Sequence, residues 1–296
     1  MRIVPIMKKS VAAFLALAIG GTCLSACGGS SGSADIVTTT SVMASIVRMV
    51  VPGDVTVVSV VPDGKDPHEY QPAPRDIATV SRAKVVVGSG FGFDGGLTSA
   101  LLTARANGAT VFVPELDMPD GWQDGMPAQS DPHWFLNIGA VGHVTERLAD
   151  VIGTALGRDL STEKAAAAAS LGRLAGEVAG LVGSLPTGTC MIAEEHNMLS
   201  QLLGPYGCAG AVLTWGSLVP NAEPAAYELE RFLAAINEKH IKVIVVDVAE
   251  PSRMLHRAAD ATGAVPVEVN IHGTGSATTF ADYIAAIVRP IVEALK

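Results

Sequence analysis

Aromatic side chains are scarce in this 296-residue chain, with seven Phe, four Tyr and three Trp. Basic residues are in the minority, 20 against 29 acidic ones, giving a formal net charge of −9. Nucleic acid is bound through cations on phosphate and rings on bases, so a chain poor in both is not built for it. The apolar run near the start, Val11 to Ala18, is far shorter than the ~20 residues a stable membrane-spanning helix needs. No His-Glu-x-x-His sequence occurs among the seven histidines, which removes the commonest helix-borne hydrolytic zinc centre. Cysteine is rare too: there are four.

What is present begins with a charged start (Arg2, Lys8, Lys9), the short apolar run, and Leu24-Ser25-Ala26-Cys27 leading into Gly28-Gly29-Ser30-Ser31-Gly32-Ser33. That order reads as an export signal, residues 1–26, followed by a flexible tether, residues 27–34. The Leu-Ser-Ala-Cys tract resembles a bacterial lipobox, which implies a lipid on Cys27 and a protein anchored to the outer face of the cytoplasmic membrane. Loss of Arg2, Lys8 and Lys9 with the signal takes the net charge from −9 to −12. About 260 residues remain beyond the tether, enough for two lobes with their own cores.

Cys23 lies in the signal, so Cys190 and Cys208 are left, both exported to an oxidising compartment where a pair favours a disulfide. Each opens an apolar strand-like run, and the segment between them holds one crossover helix. Neighbouring parallel strands bring such starts within about 5 Å.

Runs rich in Val, Ile and Thr alternate with helical patterns, the signature of βαβ units and parallel sheets. Eight strands are predicted, at Ile36–Thr39, Val55–Val61, Val85–Val87, Thr110–Val113, Cys190–Ala193, Ala209–Leu213, Val243–Val246 and Pro266–Val269. They form two groups of four, separated by a strandless helical stretch over residues 139–185. Within it, Leu171, Leu174, Ala175, Val178, Leu181 and Val182 recur at three- and four-residue spacing, so Ser161–Ser184 is predicted as one helix of about 36 Å. The expected fold is α/β: two lobes, each a four-stranded mostly parallel sheet flanked by helices, joined by one long rigid helix. The expected boundaries are 35–158, 159–185 and 186–296, with a stiff link that permits little relative motion.

In open α/β sheets ligands bind beyond the carboxyl ends of strands. His68, His133, His196 and His272 all follow strands, whereas His143 and His256 lie in helical patterns and His240 precedes its strand. Imidazole is the commonest ligand for transition metals, and a crevice site draws donors from both walls. His68 and His133 are each preceded by Asp-Pro, in Asp66-Pro67-His68-Glu69-Tyr70 and Asp131-Pro132-His133-Trp134, where proline stiffens the approach.

These motifs resemble the substrate-binding proteins of bacterial zinc and manganese ABC importers. The likeness spans nearly all of residues 35–296 and includes Phe91-Gly92-Phe93-Asp94 and the ten-residue spacing from His196 to Tyr206-Gly207. It implies metal ligation by His68, His133 and His196, a monomer, and a partner permease with its ATPase. Two departures stand out: Asn270 occupies the family's acidic fourth position, and the stretch from Leu116 to Ser130 carries no histidine. For the fourth side the residues leave Asn270, Glu268, His272, Asp247 and water. Asn270 is favoured as a weak or water-mediated contact, because Gly273 and Gly275 place His272 in what reads as a mobile turn; Asp247 is the candidate partner for a ligand histidine's N–H. Three imidazoles favour Zn²⁺ over Mn²⁺ as cargo, with release as histidine protonates near pH 6.5. The alternatives are a zinc-dependent hydrolase and a surface adhesin of the same fold; the expected protein is not an enzyme.

Overall fold

A computed structural model of the chain describes residues 34–124, 130–195, 197–208, 212–214, 226–249 and 252–296. The lipobox with Cys27, the signal and the tether, and likewise His196, lie outside the described residues. The first half contains β1 (Ile36–Thr38), α1 (Ser41–Arg48), β2 (Val57–Ser59), α2 (Pro74–Arg82), β3 (Val85–Val87), α3 (Thr98–Ala106), β4 (Thr110–Phe112) and the short α4 (Pro114–Asp117). Two long helices follow, α5 (Ile138–Leu156) and α6 (Ser161–Gly183). The second half contains β5 (Ile192–Glu194), α7 (Ser200–Leu203), β6 (Val212–Thr214), α8 (Ala226–Glu238), β7 (Val243–Asp247), α9 (Arg253–Thr262), β8 (Val265–Val269) and α10 (Phe280–Leu295).

Both sheets are four-stranded and parallel, in the orders β2-β1-β3-β4 and β6-β5-β7-β8. The connectivity is the same in each half. Every predicted strand is found: β1, β2 and β4 are shorter than predicted, β3 has the predicted bounds, β5 and β6 extend one residue further at their carboxyl ends, and β7 and β8 are one residue longer. The predicted helix Ser161–Ser184 is α6 to within one residue.

Period-two alternation sorts the strand side chains between two layers. Ile36, Val85 and Val87 face one apolar cluster, while Val37 and Val86 face another beside α2 and α3. In the second sheet Val243 and Val245 point to that same first cluster, and Ile244 and Val246 to a third against α8 and α9. One core thus runs continuously from the first sheet through α1, α5, α6 and α10 to the second. Helix α6 joins it through Ala167, Leu171, Leu174, Val178 and Val182, all buried, at spacings of three and four.

Local chemistry fixes the helix ends. The Thr40 hydroxyl accepts the Met43 N–H to start α1, and Thr279 and Asp282 form a reciprocal capping box on α10. Asn137 caps α5, which stops at Gly157 in the left-handed region. The Cys190–Cys208 disulfide is formed, with a Cα–Cα distance of 5.4 Å, just ahead of the paired strands β5 and β6.

Candidate metal centre

His68, His133 and His272 converge, each ligand-capable atom lying within 4.8 Å of the others. His68 Nε2 is 3.5 Å from His133 Nε2, which is 3.3 Å from His272 Nε2. His68 follows β2, His133 follows β4 and His272 follows β8, so all three stand at carboxyl edges of strands, as expected for parallel sheets. His133 and His272 are buried and His68 is half-buried.

The two Asp-Pro-His motifs are built alike. Asp66 Oδ1 accepts the His68 backbone N–H at 2.8 Å, and Asp131 Oδ1 accepts that of His133 at 2.8 Å. Each aspartate closes a tight turn on the histidine two residues later. Asp131 also meets His133 Nδ1 at 3.1 Å, which directs Nε2 into the cluster, while its other oxygen accepts Gln201 Nε2 from α7 at 3.2 Å. Asp131 therefore orients a ring of the cluster and ties the two halves together.

His272 is oriented differently. Asp247, the last residue of β7, places Oδ2 2.6 Å from His272 Nδ1, and Tyr283 Oη donates to the Ile271 carbonyl at 2.6 Å. Asp247 thus takes the supporting role expected of it. The sequence reading set His272 behind Asn270 because of its glycine neighbours; the structure holds that turn in place and brings the His272 ring into the cluster. Asn270 is half-buried beside it, with a buried Oδ1 that has no hydrogen-bond partner among the described residues. Glu268 stands apart, its carboxylate 3.8 Å from His256 on α9.

Phe93 forms the apolar wall. Its ring is 4.8 Å from His68 in an edge-on contact, 5.6 Å from His133 and 5.5 Å from His272. The turn that aims it needs left-handed backbone at Gly90 (φ 79°), Phe91 (φ 53°) and Gly92 (φ 80°). Asp94 accepts the Ser89 N–H at 2.7 Å and Glu115 accepts the Phe91 N–H at 2.6 Å, which offsets the strain at Phe91. Phe93 was legible only as part of a motif; nothing in the sequence assigns it to the wall.

Burial disfavours charged imidazole, which favours the neutral, lone-pair-donating form of His68 and His133. Burial and the neighbouring rings of His133 and His272 lower the His68 pKa to about 4. Burial also holds His133 below the ordinary imidazole range, against the pull of Asp131. Burial would raise Asp131 and Asp247, but their histidine hydrogen bonds prevail and keep both carboxyls below the usual range. At the end of β5, burial pushes Glu194 up to about 8, although its oxygens accept the Met198 and Leu199 N–H groups.

Several known proteins resemble this chain. The metal ABC transporter substrate-binding lipoprotein FimA of Streptococcus parasanguinis is 37% identical over 147 residues, 45% of this chain and 47% of that one. The manganese ABC transporter substrate-binding lipoprotein PsaA of Streptococcus pneumoniae is 35% identical over 145 residues, again 45% and 47%. The chain spans about half the length of the curated relatives it matches. The fold resembles the periplasmic zinc binding protein TroA from Treponema pallidum, with a TM-score of 0.78 at 19% identity over 88% of this chain and 98% of that one. The family model of the zinc-uptake complex component A periplasmic proteins (ZnuA) matches residues 36–294. With both lobes and the histidine cluster inside that match, the chain belongs to the ZnuA family.

Proposed function

We propose that this protein captures a divalent transition metal outside the cytoplasmic membrane, held there by lipid on Cys27, and delivers it to the permease of an ABC importer. The supporting observation is the spacing of the imidazole nitrogens, 3.3 and 3.5 Å. Ligands at the ~2.0–2.1 Å of a Zn–N bond stand about 3.3 Å apart on a tetrahedron. Two of the three donor pairs are already at that separation, and burial holds His68 and His133 toward the neutral form. His68, His133 and His272 bind directly in this reading and Asn270 lines another side; His196, which the family motif implies as a ligand, lies outside the described residues.

Nitrogen donors favour Zn²⁺ as the cargo over Mn²⁺, which prefers oxygen. Orienting carboxylates behind two rings add basicity to the donors. The lobes, 35–158 and 186–296, act as a binding module rather than an enzyme, as membership of a substrate-binding family supports. Native mass spectrometry of protein purified without added metal, with elemental analysis, tests the reading. One bound Zn²⁺ per chain, lost on His133→Ala, is expected; bound manganese, or zinc retained by the variant, would overturn the assignment.

A further inference from the structure

The turn after His272 is held by the opposite lobe. Asp63, in the loop between β2 and His68, accepts the Gly275 N–H through Oδ2 at 2.8 Å. Its Oδ1 accepts the Ser41 hydroxyl at 2.8 Å, and that hydroxyl oxygen in turn accepts the Thr274 N–H at 3.2 Å. Just before these contacts sits Gly273, where any Cβ would run into the Asp63 carboxylate. Gly275 has φ 56°, the left-handed region. Two residues of one lobe thus clasp three consecutive residues of the other, immediately after a histidine of the cluster.

The placement separates this clasp from the rest of the contact between lobes. The residue before His272 is fixed from within its own lobe, by Tyr283 Oη on the Ile271 carbonyl. Asp247, at the ring itself, belongs to that lobe too. The turn after His272 is instead fixed from across the crevice. Asp63 and Gly275 are exposed, unlike the common core, so water can compete for these bonds without any apolar surface being uncovered.

We propose that Asp63, acting with Ser41, is a positioning residue that closes the His272 turn onto the first lobe and sets the rate at which bound metal leaves. This rests on the metal-site reading above. With the clasp closed, the His272 ring is held near His133; with it open, the turn swings on its glycines and the ring withdraws. The carboxylate touches no ligand atom. Its effect falls on dissociation, because the metal can enter while the turn is open.

The test is stopped-flow release of Zn²⁺ to a chelator, paired with association rates, for wild type, Asp63→Ala, Ser41→Ala and Ser41→Thr. Loss of hydrogen bonds to a charged acceptor at a partly solvated site should speed release about tenfold in Asp63→Ala, and less in Ser41→Ala. Association should stay at the wild-type rate, and Ser41→Thr, which keeps the hydroxyl, should restore slow release. Amide exchange at Thr274 and Gly275 should accelerate in Asp63→Ala. Unchanged release in Asp63→Ala overturns the clasp, as does a variant whose metal-free protein melts lower and whose two rates change together. Failure of wild type to take up Zn²⁺, or full uptake by His133→Ala, instead sinks the metal site on which the clasp depends.

Discussion

The two lobes share one topology and reach the same cluster by different means. The first lobe supplies His68 and His133 from Asp-Pro-His turns, in which the supporting aspartate is two residues away in sequence. The second supplies His272 from a glycine-flanked turn, supported by Asp247 from a neighbouring strand 25 residues earlier and by Tyr283 from α10. Support that is local in sequence forms a motif, whereas support assembled across strands leaves none. The second lobe also carries the disulfide and the buried Glu194, so its edge depends more on covalent and protonation state than the first.

The largest expected effect comes from removing a ring on either side. His133→Ala and His272→Ala should each weaken Zn²⁺ binding by more than about a hundredfold, the upper range for supporting residues alone, as read by chelator competition. Asn270→Ala should cost far less. If Asn270→Ala matched them while His272→Ala bound normally, the second lobe would contact metal through the amide and the comparison would fail.

Reducing the Cys190–Cys208 bond probes the lobes' inequality. Closing a loop with a sequence separation of 18 contributes about 3 kcal/mol. Reduction should lower the melting temperature and raise proteolysis within residues 186–296 before the first lobe is attacked; equal attack on both would show that the shared core, not the disulfide, limits stability.

Asp131→Asn and Asp247→Asn remove the supporting charge from each side. Each should weaken binding by about tenfold, and Asp131→Asn should in addition perturb the Gln201 contact between lobes. A null effect of Asp247→Asn alone would mean that the His272 ring is oriented by its backbone anchors.

The smallest effects are on pH dependence. The His68 pKa is lowered in the folded protein, so unfolded chain binds the proton more readily and the associated stability is full above about pH 6.5 and lost as pH falls toward about 4. The His68 contribution to metal affinity should accordingly be lost only as pH falls toward about 4, below the solvated-imidazole value expected from sequence. Glu194 has the opposite sign: its raised pKa gives stability that is full below about 4.5 and lost as pH rises through about 8. Glu194→Gln should remove its share of the stability loss seen in urea titrations between about pH 4.5 and about 8; an unchanged slope across that window would place the cause elsewhere.

Alternating apolar runs and helical spacing determined the eight strands and α6, because period-two and period-3.6 patterns follow from burying one face of an element. The same local logic exposed His68 and His133: proline and the capping aspartate act within three residues. Cys190 and Cys208 were readable through their place at the heads of adjacent strands. Tertiary structure decided the rest. His272 lies in a turn whose glycines look mobile until Asp63 and Ser41, more than 200 residues away in sequence, are brought against it. Phe93 becomes the wall only where three loops meet, and Asp247 finds His272 only because β7 and β8 pair in register. Sequence carries what neighbours along the chain enforce on one another; the second half of this site depends on neighbours that only the folded sheet creates.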